Sequence, residues 1–231
     1  MKRQFEEIHM QVKEQQYDIQ LPYNEYFKSH IYKQCKEAIE NYDMIHGGDR
    51  VALEITFDCN TLTLLAFFLE YQKEREYDFS MEFFVEAKGG KIEEKVEKVL
   101  KEIGITKYQT IESLYKEELY QRMKESRCNR MALHQNYNHL VKATFMTFLC
   151  KKKQTVIAPV IELEKHGITM IRPMLMVKDS HIVHWIKKVG VDVRLADEIT
   201  LFGGASLSEE GIANTGLHSG AEYQFKVYER V

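Results

Sequence analysis

A chain of 231 residues, 44% of them apolar, can bury one substantial core and leaves little room for two full domains. Its 32 Lys plus Arg stand against 35 Asp plus Glu, a formal charge of -3, and the signs are interspersed. That pattern excludes a charged tail and a strong sequence-independent grip on nucleic acid, and no apolar run approaches the roughly 20 residues of a membrane span.

Taken in chain order, residues 2–16 read as a polar helix and 24–42 as a second, with Tyr26, Ile31, Ala38 and Ile39 at loosely helical spacing. Gly47, Gly48 and Asp49 form a turn before an apolar strand at 51–55, which leads to a Leu- and Phe-rich helix at 62–71. A strand at 81–85 passes through Gly89 and Gly90 to a helix at 91–103, whose Ile92, Val96, Val99 and Leu100 share one face. A weaker strand at 108–111 precedes a charged helix at 112–125, and a short strand at 130–133 precedes a helix at 137–149. A fifth strand at 168–171 and a helix at 180–188, capped by Ser180 and ended at Gly190, complete the alternation. The pattern predicts an α/β fold: a Rossmann-like parallel five-stranded sheet with helices on both faces. It divides the chain into an N-terminal helical segment (1–45), the α/β domain (46–190) and a C-terminal extension (191–231). In that extension Gly203 and Gly204 mark a turn, and residues 223–228 alternate like one strand of a β-hairpin.

The first residues lack the apolar core of a signal peptide, so the expected location is the cytoplasm. Cys35, Cys59, Cys128 and Cys150 lie far apart with no C-x-x-C pair, and read as small buried residues in a reducing compartment. His181 and His184, three apart, read as a helix surface, since a metal site needs a third ligand.

In a parallel sheet, ligands sit beyond the carboxyl ends of the strands where strand order reverses, so the loop after the first strand carries the first candidate site. It reads Thr56, Phe57, Asp58, Cys59, Asn60, Thr61. A phosphate cradle needs glycines, so that successive N–H groups can curl around the anion, and usually a lysine. This loop has neither: Phe57 is bulky, Asp58 carries like charge, and Thr61 is expected to cap the next helix.

The run Gly48-Asp49-Arg50-Val51-Ala52-Leu53-Glu54-Ile55, this loop and Leu62-Thr63-Leu64-Leu65 together resemble the PP-loop region of PP-loop ATP pyrophosphatases (adenine nucleotide alpha hydrolase-like), in their tRNA 2-thiocytidine synthetase (TtcA-like) branch. The family's S-G-G-K-D-S falls on Thr56 to Thr61, where only the hydroxyls match. A second match starts at Asn129-Arg130-Met131-Ala132-Leu133; the family's G-H-H-x-D-D becomes His134, Gln135, Asn136, Tyr137, Asn138, His139, with no nucleotide- or metal-associated residue in place. His134 and His139 are read as solvated or hydrogen-bonded. A third, Ile171-Arg172-Pro173-Met174, is similar to the family's I-R-P-L, and Arg172 is expected to close an ion pair in preference to meeting a phosphate. The cysteine pairs that hold the branch's iron-sulfur cluster are missing.

The resemblance implies tRNA thiolation, while the residues imply that this chemistry has been lost. The expectation is a noncatalytic, pseudoenzyme-like protein that acts by protein association, as a homo-oligomer or with another protein. The alternatives are a nucleotide or small-ligand enzyme or sensor with a rebuilt site, and a tRNA-binding accessory protein using Lys151, Lys152 and Lys153, which also suit the dipole of the helix they follow. Ligand-facing positions would be Thr56, Phe57, Asp58, Cys59, Asn60, Thr61, His134, Gln135, Asn136 and Arg172, none of them catalytic. No metal, membrane or iron-sulfur cluster is expected and no cofactor is required, with residual ATP or AMP binding left open.

Overall fold

The structure is a computed structural model that describes residues 23–55, 58–76, 78–87, 91–92, 94–102, 104–112, 116–149 and 157–189. The helix expected at 2–16, Thr56, Phe57, the Gly89-Gly90 turn, Cys150, Lys151 to Lys153 and the extension from 191 onward lie outside them.

The first helix, α1, is made of an α-helical turn Glu25–Phe27, a π-helical stretch Lys28–Tyr32 and an α-helical stretch Lys33–Asn41. Asn24 caps it, its side chain accepting from Phe27 N at 2.9 Å. Gly48, at φ 86°, makes the turn into the sheet in a conformation that only glycine adopts without strain. There follow β1 (Arg50–Ile55), α2 (Cys59–Glu74), β2 (Ser80–Glu86), α3 (Glu94–Glu102), β3 (Gln109–Ile111), α4 (Lys116–Glu125), β4 (Arg130–Ala132), α5 (Tyr137–Leu149), β5 (Val160–Leu163), β6 (Ile168–Ile171), a 3-10 turn (Pro173–Met176) and α6 (Asp179–Val189).

The strands form one sheet in the order β3-β2-β1-β4-β6-β5. All neighbours are parallel except β5, which runs antiparallel to β6 at one edge. The sheet therefore has six strands, not five, and is mostly parallel. The additional strand, β5, has little to announce it: it is four residues long, follows Pro159 and has only Leu163 buried. At the other boundaries, β4 stops at Ala132, and α6 begins at Asp179, where the carbonyl of Lys178 accepts from His181 N and Ile182 N. Ser180 is thus inside the helix and does not cap it.

Alternation along the strands divides the core into two layers. On one face Ala52, Phe84, Met131 and Ile168 pack with Leu119, Tyr120 and Met123 of α4. Val51, Leu53 and Ile55 point the other way, toward the side where α2 lies against β1. Burial of most of the α2 surface explains its apolar run from Leu64 to Leu69. The described part of the N-terminal segment joins this second layer, with Phe27 on Trp185 of α6 (centroids 4.7 Å) and Tyr32 on Phe67 of α2 (5.4 Å).

At the amino ends of the strands, buried Asp49 accepts from His46 N (2.7 Å), Asn129 Nδ2 (2.6 Å) and Arg130 Nε (2.9 Å). These bonds tie the start of β1 to the start of β4 and leave the opposite, carboxyl edge as the place where loops can differ.

Candidate functional site at the carboxyl edge of the central strands

From β1 the chain winds outward to β2 and β3, and from β4 it winds the other way to β6, so the reversal of strand order falls between β1 and β4. The two loops leaving these strands meet there, as the sequence predicts for the first of them.

Asp58 caps α2. Its Oδ1 accepts from Asn60 N at 2.8 Å and Thr61 N at 2.9 Å, and its Oδ2 accepts from Thr61 Oγ1 at 2.8 Å. The expected cap, Thr61, instead sits inside the first turn and spends its hydroxyl on Asp58. A carboxylate is a better partner than a hydroxyl for orphan N–H groups at the positive end of a helix, which is the physical reason for the correction. Cys59, next in line, is buried.

Asn136 caps α5 in the same manner. Its carbonyl accepts the first helical bond, from Leu140 N at 3.2 Å. Its Oδ1 accepts from Asn138 N (3.0 Å) and His139 N (3.2 Å) and lies 2.8 Å from His139 Nδ1. The Nδ2 of this fully buried side chain donates to Asn60 Oδ1 at 3.0 Å and also to Asp179 Oδ1. Asn138 Oδ1 in turn accepts from Asp179 N at 3.2 Å. The N-termini of α2, α5 and α6 are thus knotted together by side chains, with Asn136 at the centre.

Burial, followed by the neighbouring His134, holds the His139 imidazole below its ordinary pKa, against the pull of Asp179 and Asp58. The two histidine rings stand edge to face with centroids 6.2 Å apart. His139 is hydrogen-bonded, as expected, and no group of three His, Cys, Asp or Glu among the described residues has metal-binding geometry.

Arg172 departs from expectation. It is 8% exposed, and its Nε donates to Gln135 Oε1 at 3.1 Å while Nη1 donates to the carbonyl of Ala158 at 2.7 Å. Both acceptors are neutral, so hydrogen bonds to an amide and the backbone stand where an ion pair was expected. Burial lowers the guanidinium to about 10. Gln135 is consequently a fastener between the β4 loop and β6.

Of the sequence-predicted positions, Asp58, Asn60, Thr61 and Asn136 come together, and Gln135 comes together with Arg172. Sequence reasoning missed Asp179, whose one signal is that it opens the helix after the Arg172-Pro173 segment. It also missed His30, which joins His181 and His184 around Tyr26. Tyr26 stacks on His30 (centroids 4.3 Å) and lies tilted against His184 (4.2 Å), and its hydroxyl is hydrogen-bonded to His181 Nδ1 at 2.9 Å, a packing seam between α1 and α6.

No family model and no curated protein matches this sequence. Among solved structures it is similar to the U34-tRNA thiolase NcsA from Methanococcus maripaludis with its [4Fe-4S] cluster: TM-score 0.53 and 12% identity, over 74% of this chain and 67% of that one. It is also similar to Candida glabrata FMN adenylyltransferase in complex with FMN and the ATP analog AMPCPP: TM-score 0.50 and 8% identity, over 79% of this chain and 65% of that one. The chain spans about two thirds of the length of each. What it shares with them at these identities is the fold, a layered α/β domain with a mostly parallel sheet.

Proposed function

We propose that this chain is a PP-loop-like protein, akin to the tRNA 2-thiocytidine synthetase branch, that no longer binds and splits ATP and acts through protein association. The observation that carries this reading is Asp58. A phosphate cradled after β1 would need the N–H groups of Asn60 and Thr61, and the Asp58 carboxylate already accepts both. Two unit charges of like sign at about 4 Å repel by roughly 4 kcal/mol at an effective dielectric of 20, on the order of a thousandfold in affinity. ATP therefore does not fit these residues as its family would hold it. Among the described residues an iron-sulfur cluster fits no better. Cys59 follows the carboxyl end of β1 and Cys128 precedes the amino end of the parallel β4, so the two lie at opposite edges of the sheet. A cluster needs thiolates that converge.

The test is a thermal-shift titration of the full chain with ATP, AMP and magnesium, run beside an assay for pyrophosphate release. We expect neither a shift nor release. Saturable release of pyrophosphate, lost in Asp58→Ala, would overturn the reading.

One observation favours a second reading, a rebuilt site for a small anion. Among the described residues the acceptors of the buried Arg172 guanidinium are neutral, and a buried cation is usually matched by an anion. If that reading holds, a nucleotide or phosphate would raise the melting temperature of the wild type and not that of Arg172→Ala.

A further inference from the structure

The seam between α1 and α6 concentrates imidazoles. Around Tyr26 stand His30 of α1 and His181 and His184 of α6, and the rings of His30 and His181 are 4.9 Å apart, centroid to centroid. Lys188 Nζ lies 5.7 Å from the centre of the Tyr26 ring, and Lys178 immediately precedes α6. His181 belongs to the first turn of α6, where the N–H groups of the helix end already disfavour a cation.

The carboxylates of the surrounding elements are engaged elsewhere. Asp179 accepts from Asn136 Nδ2, and Glu74 of α2 accepts from Tyr32 and Lys36. Glu70 of α2 pairs with Lys73, and Glu25, in the first turn of α1, is exposed. Burial first, and then His30, Lys178 and His184, all positive when ionised, hold the His181 imidazole below its ordinary range.

α1 has two holds on the rest of the fold. Lys33–Asn41 packs on the 3-10 turn, whereas Tyr26, Phe27 and His30 meet α6. The π-helical stretch Lys28–Tyr32 sits at the join, where the i+4 ladder of the helix is interrupted. Beneath the seam Phe27 packs on Trp185, which is fully buried and is the single tryptophan of the chain.

We propose that this seam is a pH-sensitive catch: as His30, His181 and His184 take up protons, like charges converge on Tyr26 and residues 24–32 lift from α6, while Lys33–Asn41 stays seated. Imidazole changes charge between pH 5 and 8, so the catch works within the physiological range. Protonation also takes away the lone pair of His181 Nδ1, 2.9 Å from Tyr26 Oη, since an imidazolium accepts no hydrogen bond. The catch is separate from the carboxyl-edge site and holds whatever that site binds.

The experiment follows the emission maximum of Trp185 in the full chain from about pH 8 to about pH 5.5, with far-UV circular dichroism on the same samples. Wavelength is read, not intensity, because a neighbouring imidazolium quenches an indole without exposing it. We expect a red shift as Trp185 loses Phe27, with a midpoint about pH 6 and nearly all ellipticity kept. In the double variant His30→Gln/His181→Gln the maximum should stay constant over the same range. In His139→Gln the shift should remain, because His139 lies in the carboxyl-edge knot and not in the seam. Hydrogen exchange on the wild type decides the matter if the double variant does not fold. Corrected for intrinsic rates, the amides of 27–32 should lose roughly tenfold in protection between about pH 7.5 and about pH 5.5, and those of 33–41 should keep theirs. A constant emission maximum in the wild type, a shift that persists in the double variant, vanishes in His139→Gln or coincides with loss of ellipticity, or an equal loss of protection along all of α1 overturns the proposal.

Discussion

At the scale of single residues, Asp58 has become the ligand of its own helix. Removing it in Asp58→Ala exposes two N–H groups, and by the usual worth of a cap we expect a loss of about 1 to 2 kcal/mol in urea unfolding, with Asp58→Asn losing much less. His139 supplies a test by pH. Its folded-state pKa lies below the ordinary 6.5, so on acidification the unfolded chain takes up the proton first and drives unfolding. Stability should be flat above the unfolded value and fall as pH drops through it toward the folded one. His181 is shifted the same way, by burial and then by His30, Lys178 and His184, so its contribution adds. Urea midpoints measured from about pH 7.5 to about pH 5 should fall in the wild type and fall less steeply in His139→Gln; an unchanged slope would remove His139 from the account. At this scale the sequence was readable where chemistry is local. The missing glycines and lysine were plain, and so was the mismatch of Asp58 with a phosphate. What could not be read was the use to which Asp58 is put, because a side chain that repels one ligand is equally suited to cap the helix behind it.

At the scale of elements, the strands buried on both faces declared themselves by continuous apolar runs, and the order of elements gave their parallel pairing. The edge strand β5 did not, since its pairing with β6 is antiparallel and its burial slight. Partners far apart in the chain were equally hidden: Asn136 meets Asn60 across 76 residues and Asp179 across 43, and no local pattern encodes either bond. The same holds for the bond between Asn129 and Asp49, 80 residues apart, which joins the Arg130-Asp49 pair and the bond from Arg50 N to Asn129 Oδ1 in tying β4 to β1 at their amino ends. Breaking this buried tie in Asp49→Ala leaves Arg130 without its carboxylate, and chemical denaturation should show a loss of about 3 to 5 kcal/mol. A loss comparable to that of an exposed pair, below about 1 kcal/mol, would mean that His46 or water takes over the charge.

At the scale of the whole molecule, one end of the sheet is tied by an ion pair while the other is closed by amides and carboxylates. Self-association, one form of the association reading, would make stability depend on dilution, because a partner that binds only the folded state stabilises it by mass action. The melting temperature of the wild type should then fall as the protein is diluted.

The knot at the carboxyl edge has a further consequence, which lies in the timing of motion. Asn136 holds the first turns of three helices that are distant in sequence, so none of those turns can fray by itself. The backbone amides of Asn60, Thr61, Asn138, His139 and Asp179 should then open as one cooperative unit, and in native-state hydrogen exchange they should share a single protection factor well above that of ordinary helix ends. In Asn136→Ala the five amides should part company, each exchanging at the rate of its own helix.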